Sequence, residues 1–577
     1  MGRMTGNEFF VKALKEEGVT KLFGYPGACV IDIFDALEKQ DNVELILPRH
    51  EQGLIHAAEG YARSTGNTGV CLVTSGPGAT NLVTGIADAN LDSVPLVCFT
   101  GQVSTGLIGN DTFQEVDIVG ITRNITKYSM MVRTRDELNE AIKEAFFVAR
   151  SGRPGPVLVD LPSNIMAEMG SDEYPQTVSL PGYRPNTKVH DGQIKRAIKM
   201  IYKAKRPLFL LGGGVKIARA SEQMKELVEA TGIPAVTTIM GKGSIPTNHR
   251  LYYGNVGMHG AYVANNAVNH CDLLISIGTR FNDRITGKLG TFAPKAKIIH
   301  IDIDAASISK NVNVDVPIVG DAAEAIHKLL YEAVDYGEPV EMNKDWLKQL
   351  GKWQSSKPLH MEEKKKLCPK DIIDAINENY DDLILTTDVG QSQMWATQFF
   401  EIYGNRQLIT SGGLGTMGYG LPSAIGAALG NPGMDVVAVT GDGGFQMNSQ
   451  EMTTATINRL PITICILNNG YLGMVRQWQD LFRNKVYAGT DLKWHKEDGT
   501  VEYVPDFVKL AEAYGAQGIR VTKKKDIAKA LKAAKAKKDG PTIIEFLIEE
   551  EELVLPMIKP GGPITDLITS VEGGKVR

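Results

Sequence analysis

Short unbroken apolar runs recur along the chain in three series, and between them lie longer stretches with helical amphipathic spacing. The first series holds runs at 43–47, 70–74, 94–100 and 157–161, the second at 207–211, 235–239, 273–277 and 297–303, the third at 383–387, 436–440, 462–467 and 542–547. A strand that faces water on one side alternates apolar and polar residues. A run that is apolar throughout is covered on both faces, as in a parallel sheet flanked by crossover helices. The expected fold class is therefore α/β, with three open parallel-sheet domains. Two stretches break the rhythm. Residues 170–186 carry Pro175, Pro181 and Pro185, and residues 336–366 are charged and strand-free, with Pro339 and Pro358 flanking expected helices. Taken as linkers, they divide the chain into domains at 1–168, 188–335 and 368–550, with a Pro- and Gly-rich tail at 551–577 that either covers a site mouth or packs on the surface.

Composition removes several classes of function. With 577 residues and 43% hydrophobic content the chain can bury several cores, so global disorder is excluded. Its 62 Lys and Arg against 67 Asp and Glu give a charge of −5. Without a basic stripe, nucleic acid is not an expected partner. The densest basic stretch, 523–538, alternates Lys with Ala and Ile as a solvated helix face does. Six dispersed cysteines without Cys-x-x-Cys spacing read as reduced core thiols. No apolar run reaches the ~18 residues of a membrane span, and no charged-then-apolar leader precedes the helical pattern that starts near Thr5. A cytoplasmic protein without a membrane partner is expected.

The chemistry concentrates at strand ends. The run 436–440 leads into Gly441, Asp442, Gly443 and Gly444. In open parallel sheets ligands gather beyond the carboxyl ends of strands, and glycines there let backbone amides approach a phosphate. Asp442 is a hard oxygen donor of the kind Mg²⁺ prefers. One helix (449–459) and one strand later, the chain reaches Asn468, Asn469 and Gly470. Each motif alone is also explained as a tight turn. Their joint spacing and strand context favour a cation held between Asp442 and an Asn amide oxygen. In the first series, 43–47 leads into Arg49, His50, Glu51, Gln52 and Gly53, which places Glu51 where a strand hands over to a helix. A helix-start carboxylate favoured by the macrodipole is the bland reading. Glu59, further along the same helix, is the runner-up and better suited to a structural bond.

Gly-Asp-Gly followed at this interval by Asn-Asn resembles the signature of thiamine diphosphate enzymes, and the Arg-His-Glu-Gln-Gly run resembles their catalytic Glu segment. The resemblance implies Mg²⁺ held by Asp442, Asn469 and the backbone carbonyl of Tyr471, with thiamine diphosphate cradled by Gly441, Gly443 and Gly444. It implies that Glu51 bonds the distal ring nitrogen of the cofactor's aminopyrimidine and so promotes removal of the thiazolium C2 proton. In Gly412-Gly413-Leu414-Gly415-Thr416-Met417-Gly418-Tyr419-Gly420, Met417 matches the residue that wedges between the two rings, with Gly415 beside it. In that family the two halves of the site come from different subunits, which implies a homodimer or a tetramer.

Longer matches narrow the resemblance to the catalytic subunits of acetohydroxyacid (acetolactate) synthases: Phe23-Gly24-Tyr25-Pro26-Gly27, Thr74-Ser75-Gly76-Pro77-Gly78-Ala79-Thr80-Asn81, Phe113-Gln114-Glu115 and Gly473-Met474-Val475-Arg476-Gln477-Trp478. These enzymes decarboxylate pyruvate and transfer the hydroxyethyl carbanion to pyruvate or 2-oxobutyrate, at the start of branched-chain amino acid synthesis. By that resemblance Arg280 clamps the second carboxylate, Trp478 sets the pocket for its alkyl tail, and Phe113 and Gln114 line the chamber. Gly212-Gly213-Gly214 does not fit a dinucleotide fingerprint. Together with Met258-His259-Gly260, the segment from Gly278 through Arg280 to Arg284, and Asp302, it resembles the flavin-binding segments of the same synthases and implies FAD. A flavin-dependent pyruvate oxidase or a 2-oxoacid decarboxylase on the same scaffold stays open as an alternative. Ser104, Ser163 with Asn164, Cys29 and Tyr128 depart from the family pattern, and the resemblance places several of these positions along the substrate access channel. They leave open the preference for the second substrate, as the sequence leaves open the presence of a regulatory small subunit.

Overall fold

The computed structural model describes residues 2–576 apart from 338, 343, 362, 363, 365, 573 and 574. Among these residues the chain forms three six-stranded sheets, each parallel throughout. The first contains Lys21–Tyr25, Glu44–Ile46, Gly69–Val73, Leu96–Gln102, Tyr128–Met131 and Pro156–Pro162. The second contains Pro207–Leu211, Ala235–Thr237, Tyr252–Asn255, Leu273–Ile277, Lys297–Asp302 and Val316–Val319. The third contains Leu383–Thr387, Gln407–Thr410, Asp435–Gly441, Ile462–Asn468, Gln517–Val521 and Thr542–Leu547. Counted in chain order within each sheet, the first and third share the strand order 2-1-3-4-6-5, whereas the middle sheet runs 3-2-1-4-5-6. Each order has a switch point, between strands 1 and 3 in the outer sheets and between strands 1 and 4 in the middle one. Ligands bind where neighbouring connections diverge in this way.

Every expected strand is present, but six strands escaped the reading of apolar runs. Five of them (Tyr128–Met131, Tyr252–Asn255, Val316–Val319, Gln407–Thr410 and Gln517–Val521) are edge strands. An edge strand is covered on fewer sides and tolerates the Ser, Gly, Pro, Gln and Arg that interrupt these segments. The sixth, Lys21–Tyr25, is internal but contains Gly24, where a Cβ would lie 2.8 Å from Leu45. Part of the stretch assigned to the first linker is also a strand: Met169–Ser171 pairs antiparallel with Arg3–Thr5. The helix expected at 449–459 is split into a 3₁₀ turn, Ser449–Glu451, and a short helix, Met452–Ile457. The second linker includes five residues outside the described set, and its described part holds the helix Lys344–Ser356. The tail packs on the middle unit. Ile558 donates to the Met258 carbonyl, Lys288 donates to the Gly562 carbonyl, and Ile558 and Ile564 are buried with Phe281 and Phe292. No helix among the described residues is long and apolar enough to cross a membrane.

One contact sets the geometry between the outer units. Helix Glu51–Thr65 crosses helix Gly420–Gly430 with Ala57, Ala58 and Tyr61 packed into a continuous core with Ala424, Ile425 and Ala427. The crossing is close because glycines face it. A Cβ at Gly60 would lie 2.0 Å from the Ser423 carbonyl oxygen, and one at Gly426 would lie 1.7 Å from that of Ala57. Glu451, buried in the third unit, accepts hydrogen bonds from the backbone N–H groups of Arg49 and His50. The start of the Glu51 helix is thereby fixed to the third sheet's connections.

Candidate active site

Strands Asp435–Gly441 and Ile462–Asn468 are hydrogen-bonded neighbours, with Gly441 opposite Leu467, so their carboxyl ends open on one rim. Asp442 begins the helix that follows the first strand, and Asn469 follows the second. The Asp442 carboxyl is buried, and burial pushes its pKa up to about 7 against the pull of the backbone amides of Asp442, Gly443, Gly470 and Asn469. The two sequence-predicted ligands are therefore drawn together by the same loop. The Asn469 side-chain oxygen accepts from the Tyr471 N–H (3.0 Å), folding the Asn-Asn-Gly-Tyr turn back on itself, and its amide nitrogen donates to Gln391 (3.2 Å). Around this rim the chain leaves space. A Cβ at Gly390 or Gly441 would meet nothing within 4 Å, and one at Gly415 only Val389 at 3.9 Å. Gly444 has no such room, since its Cβ would lie 2.4 Å from the Asp388 carboxylate.

The glycine-rich loop arches over the rim from the neighbouring connection. Asp388, directly after strand Leu383–Thr387, accepts from the N–H groups of Gly418 and Gly420 (both bonds to Oδ2, 3.1 and 2.9 Å) and so bends the loop between them. Met417 is half-buried and its methyl group lies 3.7 Å from the position a Cβ would take at Gly443. The other side of the loop rests on the first unit. Ser411 and Thr416 donate to Asp88, Asp92 accepts from the N–H groups of Gly412 and Gly413, and Arg63 reaches the Thr410 carbonyl and the Tyr419 hydroxyl. His56 and Glu59, bonded to each other at 3.0 Å, complete a buried titratable cluster with Asp88. Glu59 is bonded within this cluster.

Burial, reinforced by the neighbouring Glu59, pushes the Asp88 pKa up to about 7. Between the ordinary carboxyl range and that value the folded protein keeps a proton that the unfolded chain releases, so stability falls as pH rises through this interval. Asp88→Asn keeps an acceptor for Ser411 and Thr416 and removes the charge. We expect it to stabilise the protein by about 1–3 kcal/mol at pH 8, a gain that shrinks towards pH 5, measured by denaturant unfolding across pH.

Glu51 opens its helix after His50, whose ring nitrogen caps the Gln52 N–H. Its carboxylate accepts from the Asn81 amide (2.9 Å) and lies 3.5 Å from where a Cβ at Gly78 would stand. Gln114 presses on the same turn, with a left-handed φ of 61° and its backbone within 3.0 Å of a Cβ built at Gly76. Glu51 and Gln114 therefore flank the segment Ser75–Gly78. Phe113 is 84% exposed beside them. Trp478, on helix Gly473–Phe482 beyond the Asn469 rim, is half-buried and meets Phe482 edge-on. Among the described residues Glu51 is bonded to Asn81 of its own unit and not to the rim.

A cavity of about 1150 Å³ opens at the switch point of the middle sheet. Its walls include Gly213, Gly214, Arg280 and Asp302, with Arg153 of the first unit and Gly413 of the third. Gly212 and Gly214 sit where two connections touch: a Cβ at Gly212 would lie 2.1 Å from the Gly278 carbonyl, and one at Gly214 2.6 Å from the Gly278 Cα. Arg280 is half-buried, and burial lowers its pKa with Arg153 nearby. Five predicted flavin contacts, Gly212, Met258, His259, Gly260 and Arg284, are not among the lining residues. Met258 accepts from the tail residue Ile558, Gly260 turns back on Gly257, His259 contacts the Pro556 carbonyl, and Arg284 pairs with Asp283 on the surface.

Three family models match along the chain: Thiamine pyrophosphate enzyme, N-terminal TPP binding domain, at residues 4–121; the central domain at 194–329; and the C-terminal TPP binding domain at 388–546. An acetolactate synthase large subunit of Mycobacterium tuberculosis is 46% identical over 564 residues, covering 97% of this chain and 90% of that protein. One of Corynebacterium glutamicum is 46% identical over 568 residues (98% and 90%). The acetolactate synthase isozyme 3 large subunit of Escherichia coli is 42% identical over 575 residues (98% and 99%). The chain belongs to the acetolactate synthase large-subunit family of thiamine pyrophosphate enzymes.

In this member of the family several site-building residues carry no motif of their own. Asp88, Asp92 and Glu451 act by accepting across units, and Asp388 and Gln391 by bonds to distant segments of the third unit and the tail. Only Asp388, placed directly after an apolar run, had a signal in sequence, since the strand-end rule that singled out Asp442 applies to it equally.

Proposed function

We propose that this chain is the catalytic subunit of an acetolactate synthase, joining pyruvate, after loss of CO₂, to a second 2-oxoacid (pyruvate or 2-oxobutyrate). The observation that carries the reading is the rim: a buried Asp442 carboxylate surrounded by backbone amides, next to Asn469, with open space at Gly390, Gly441 and Gly415. This donor set is hard oxygen and fits Mg²⁺, with Asp442, Asn469 and the Tyr471 carbonyl as ligands. Thiamine diphosphate, when bound, supplies the electron sink that lets a 2-oxoacid lose CO₂ and its remaining carbon unit attack another carbonyl. The chain's own residues do the rest. Gly441 leaves room for the diphosphate beside Gly443 and Gly444, whose own Cβ positions are taken by Leu472 and Asp388, Met417 fills the gap over the rim, and Glu51, steadied by Asn81, shares a proton with the pyrimidine nitrogen. Arg280 and Trp478 are assigned to the second substrate's carboxylate and alkyl group, with Phe113 and Gln114 at the chamber wall.

Because Glu51 is bonded away from the rim in one chain, we place the complete site between two copies, in a homodimer or tetramer. Exposed apolar side chains support this: Leu47, Phe113 and Ile121 on the first unit, Met447, Ile457 and Val475 on the third. The designation of the relatives as large subunits supports a smaller partner chain as well. The free cysteines, five buried and Cys29 half-buried, accord with a reducing cytoplasm.

We assign FAD to the cavity, whose wall residues Arg153 and Asp302 would help to hold it. Gly278→Ala, with φ +63° and a Cβ 2.5 Å from Gly214, closes the approach of the two connections. It is expected to lower flavin content at least ~10-fold, read from flavin fluorescence after heat release. The reaction is tested by supplying purified protein, Mg²⁺ and thiamine diphosphate with pyruvate, alone and with 2-oxobutyrate. Acetolactate and acetohydroxybutyrate support the proposal. Acetaldehyde alone, or acetyl phosphate with peroxide, assigns the chain to a decarboxylase or an oxidase instead.

A further inference from the structure

Three side-chain amides form a buried relay behind the metal rim. The Asn469 amide nitrogen donates to Gln391 Oε1 (3.2 Å), and Gln391 Nε2 donates to Gln477 Oε1 (2.9 Å) and to the Glu552 carbonyl (2.8 Å). Gln477 then closes on the tail. Its Nε2 donates to the Val554 carbonyl (3.0 Å) and contacts the Met557 sulfur (3.2 Å), while its Oε1 accepts from the Val554 N–H (2.8 Å). Asn469, Gln391 and Gln477 are all buried, Gln477 completely. The relay joins elements far apart in the chain: the turn after strand Ile462–Asn468, the start of helix Gln391–Phe399, helix Gly473–Phe482 and the tail.

An amide has one acceptor and one donor end, and here the order of the ends is fixed. Asn469 spends its nitrogen on Gln391, which turns its oxygen towards Tyr471 and the rim. Gln391 offers its oxygen to Asn469 and therefore must present its nitrogen to Gln477 and Glu552. Gln477 answers with its oxygen and has its nitrogen left for the tail. Flipping any one amide breaks bonds at both of its ends, and in a buried site each broken bond leaves an unsatisfied group. Space is equally restricted, since a Cβ at Gly473 would lie 2.1 Å from Gln391 Oε1 and 2.8 Å from the Asn469 amide nitrogen. Trp478 directly follows Gln477 on the same helix.

We propose that Gln477 is a positioning residue that holds the metal rim, the helix bearing Trp478 and the C-terminal tail in one register. Through Gln391 it orients the oxygen of Asn469, and through Val554 it ties the tail to the same setting. The inference rests on the proposed role of Asn469 as a metal ligand, but its contacts with the tail can be read without any ligand.

The test compares full-length wild type with Gln477→Met, which keeps length and volume and removes both polar atoms. Gln477→Glu, which keeps an acceptor for Gln391 and Val554, is the conservative partner. Hydrogen exchange of the tail peptide spanning 553–558 is followed by mass spectrometry, and the Mg²⁺ concentration that half-saturates thiamine diphosphate binding is measured by calorimetry. In Gln477→Met, tail exchange is expected to speed up about 10-fold, and half-saturating Mg²⁺ to rise about 10-fold, the scale of losing an outer-shell partner of a metal ligand. Gln477→Glu should fall between the two, and it carries the test alone if the Met variant does not fold. Wild-type tail exchange and wild-type Mg²⁺ dependence in a folded variant would overturn the proposal. Faster tail exchange with unchanged Mg²⁺ dependence overturns it too, because Gln477 then serves the tail only. A wild-type chain that binds no Mg²⁺ with thiamine diphosphate defeats the proposed function, a result separate from the tail measurement.

Discussion

Glu51→Gln is expected to lower acetolactate formation at least ~100-fold, the scale on which loss of a general acid or base is felt. The substitution is conservative in shape. The Asn81 amide still finds an oxygen acceptor at the position it now bonds at 2.9 Å, and the helix start keeps its cap from His50 and its anchor at Glu451. What changes is the capacity to exchange a proton with a ring nitrogen. Folding and cofactor binding should therefore be nearly untouched while turnover collapses. Steady-state rates, together with thiamine diphosphate affinity measured separately, check both halves. If the variant forms acetolactate at a rate near wild type, Glu51 is only a helix-start carboxylate and the proton shuttle must be sought elsewhere.

The difference between what sequence and structure each reveal has a physical origin. Interior strands such as Leu273–Ile277 and Leu383–Thr387 are apolar because both faces are covered, and their bounds match the apolar runs residue for residue. Edge strands such as Gln517–Val521 lack that requirement and read as loops. The site divides in the same way. Asp442, Asn469 and Glu51 sit at the ends of legible strands, where local order along the chain implies position in space. Gln477, Asp88 and Asp388 work through partners 30 to over 300 residues distant, as in the bond from Ser411 to Asp88 or from Gly418 to Asp388. An Asp on an amphipathic helix looks solvent-facing until a second domain is known to cover it. The Gly-rich loop shows both sides. Its glycines were visible as a motif, but the acids that shape it lie in another unit and in the preceding strand connection.

The second large effect concerns Asp442 and has opposite signs with and without ligands. In the chain alone this carboxylate is buried, with no cationic side chain bonded to it among the described residues, a state whose cost shows in a pKa pushed up to about 7. Asp442→Asn keeps the shape and an oxygen for the surrounding amides while removing the charge, so the cofactor-free protein should become more stable. With Mg²⁺ and thiamine diphosphate the order reverses. A primary ligand is lost, and affinity should drop at least ~100-fold, beyond what outer-shell substitutions cost. A ligand at 100 times its dissociation constant stabilises the native state by ~2.7 kcal/mol, so most of the ligand-induced rise in Tm should disappear from the variant. Thermal unfolding of both proteins, each with and without Mg²⁺ and cofactor, reads all four states. An Asp442 that merely shaped a turn would give the other pattern: lower stability without ligand and an unchanged ligand-induced shift. The crossing of the two effects therefore distinguishes a residue kept for the cation it holds from one kept for the fold, because only the former is a burden until its partner arrives.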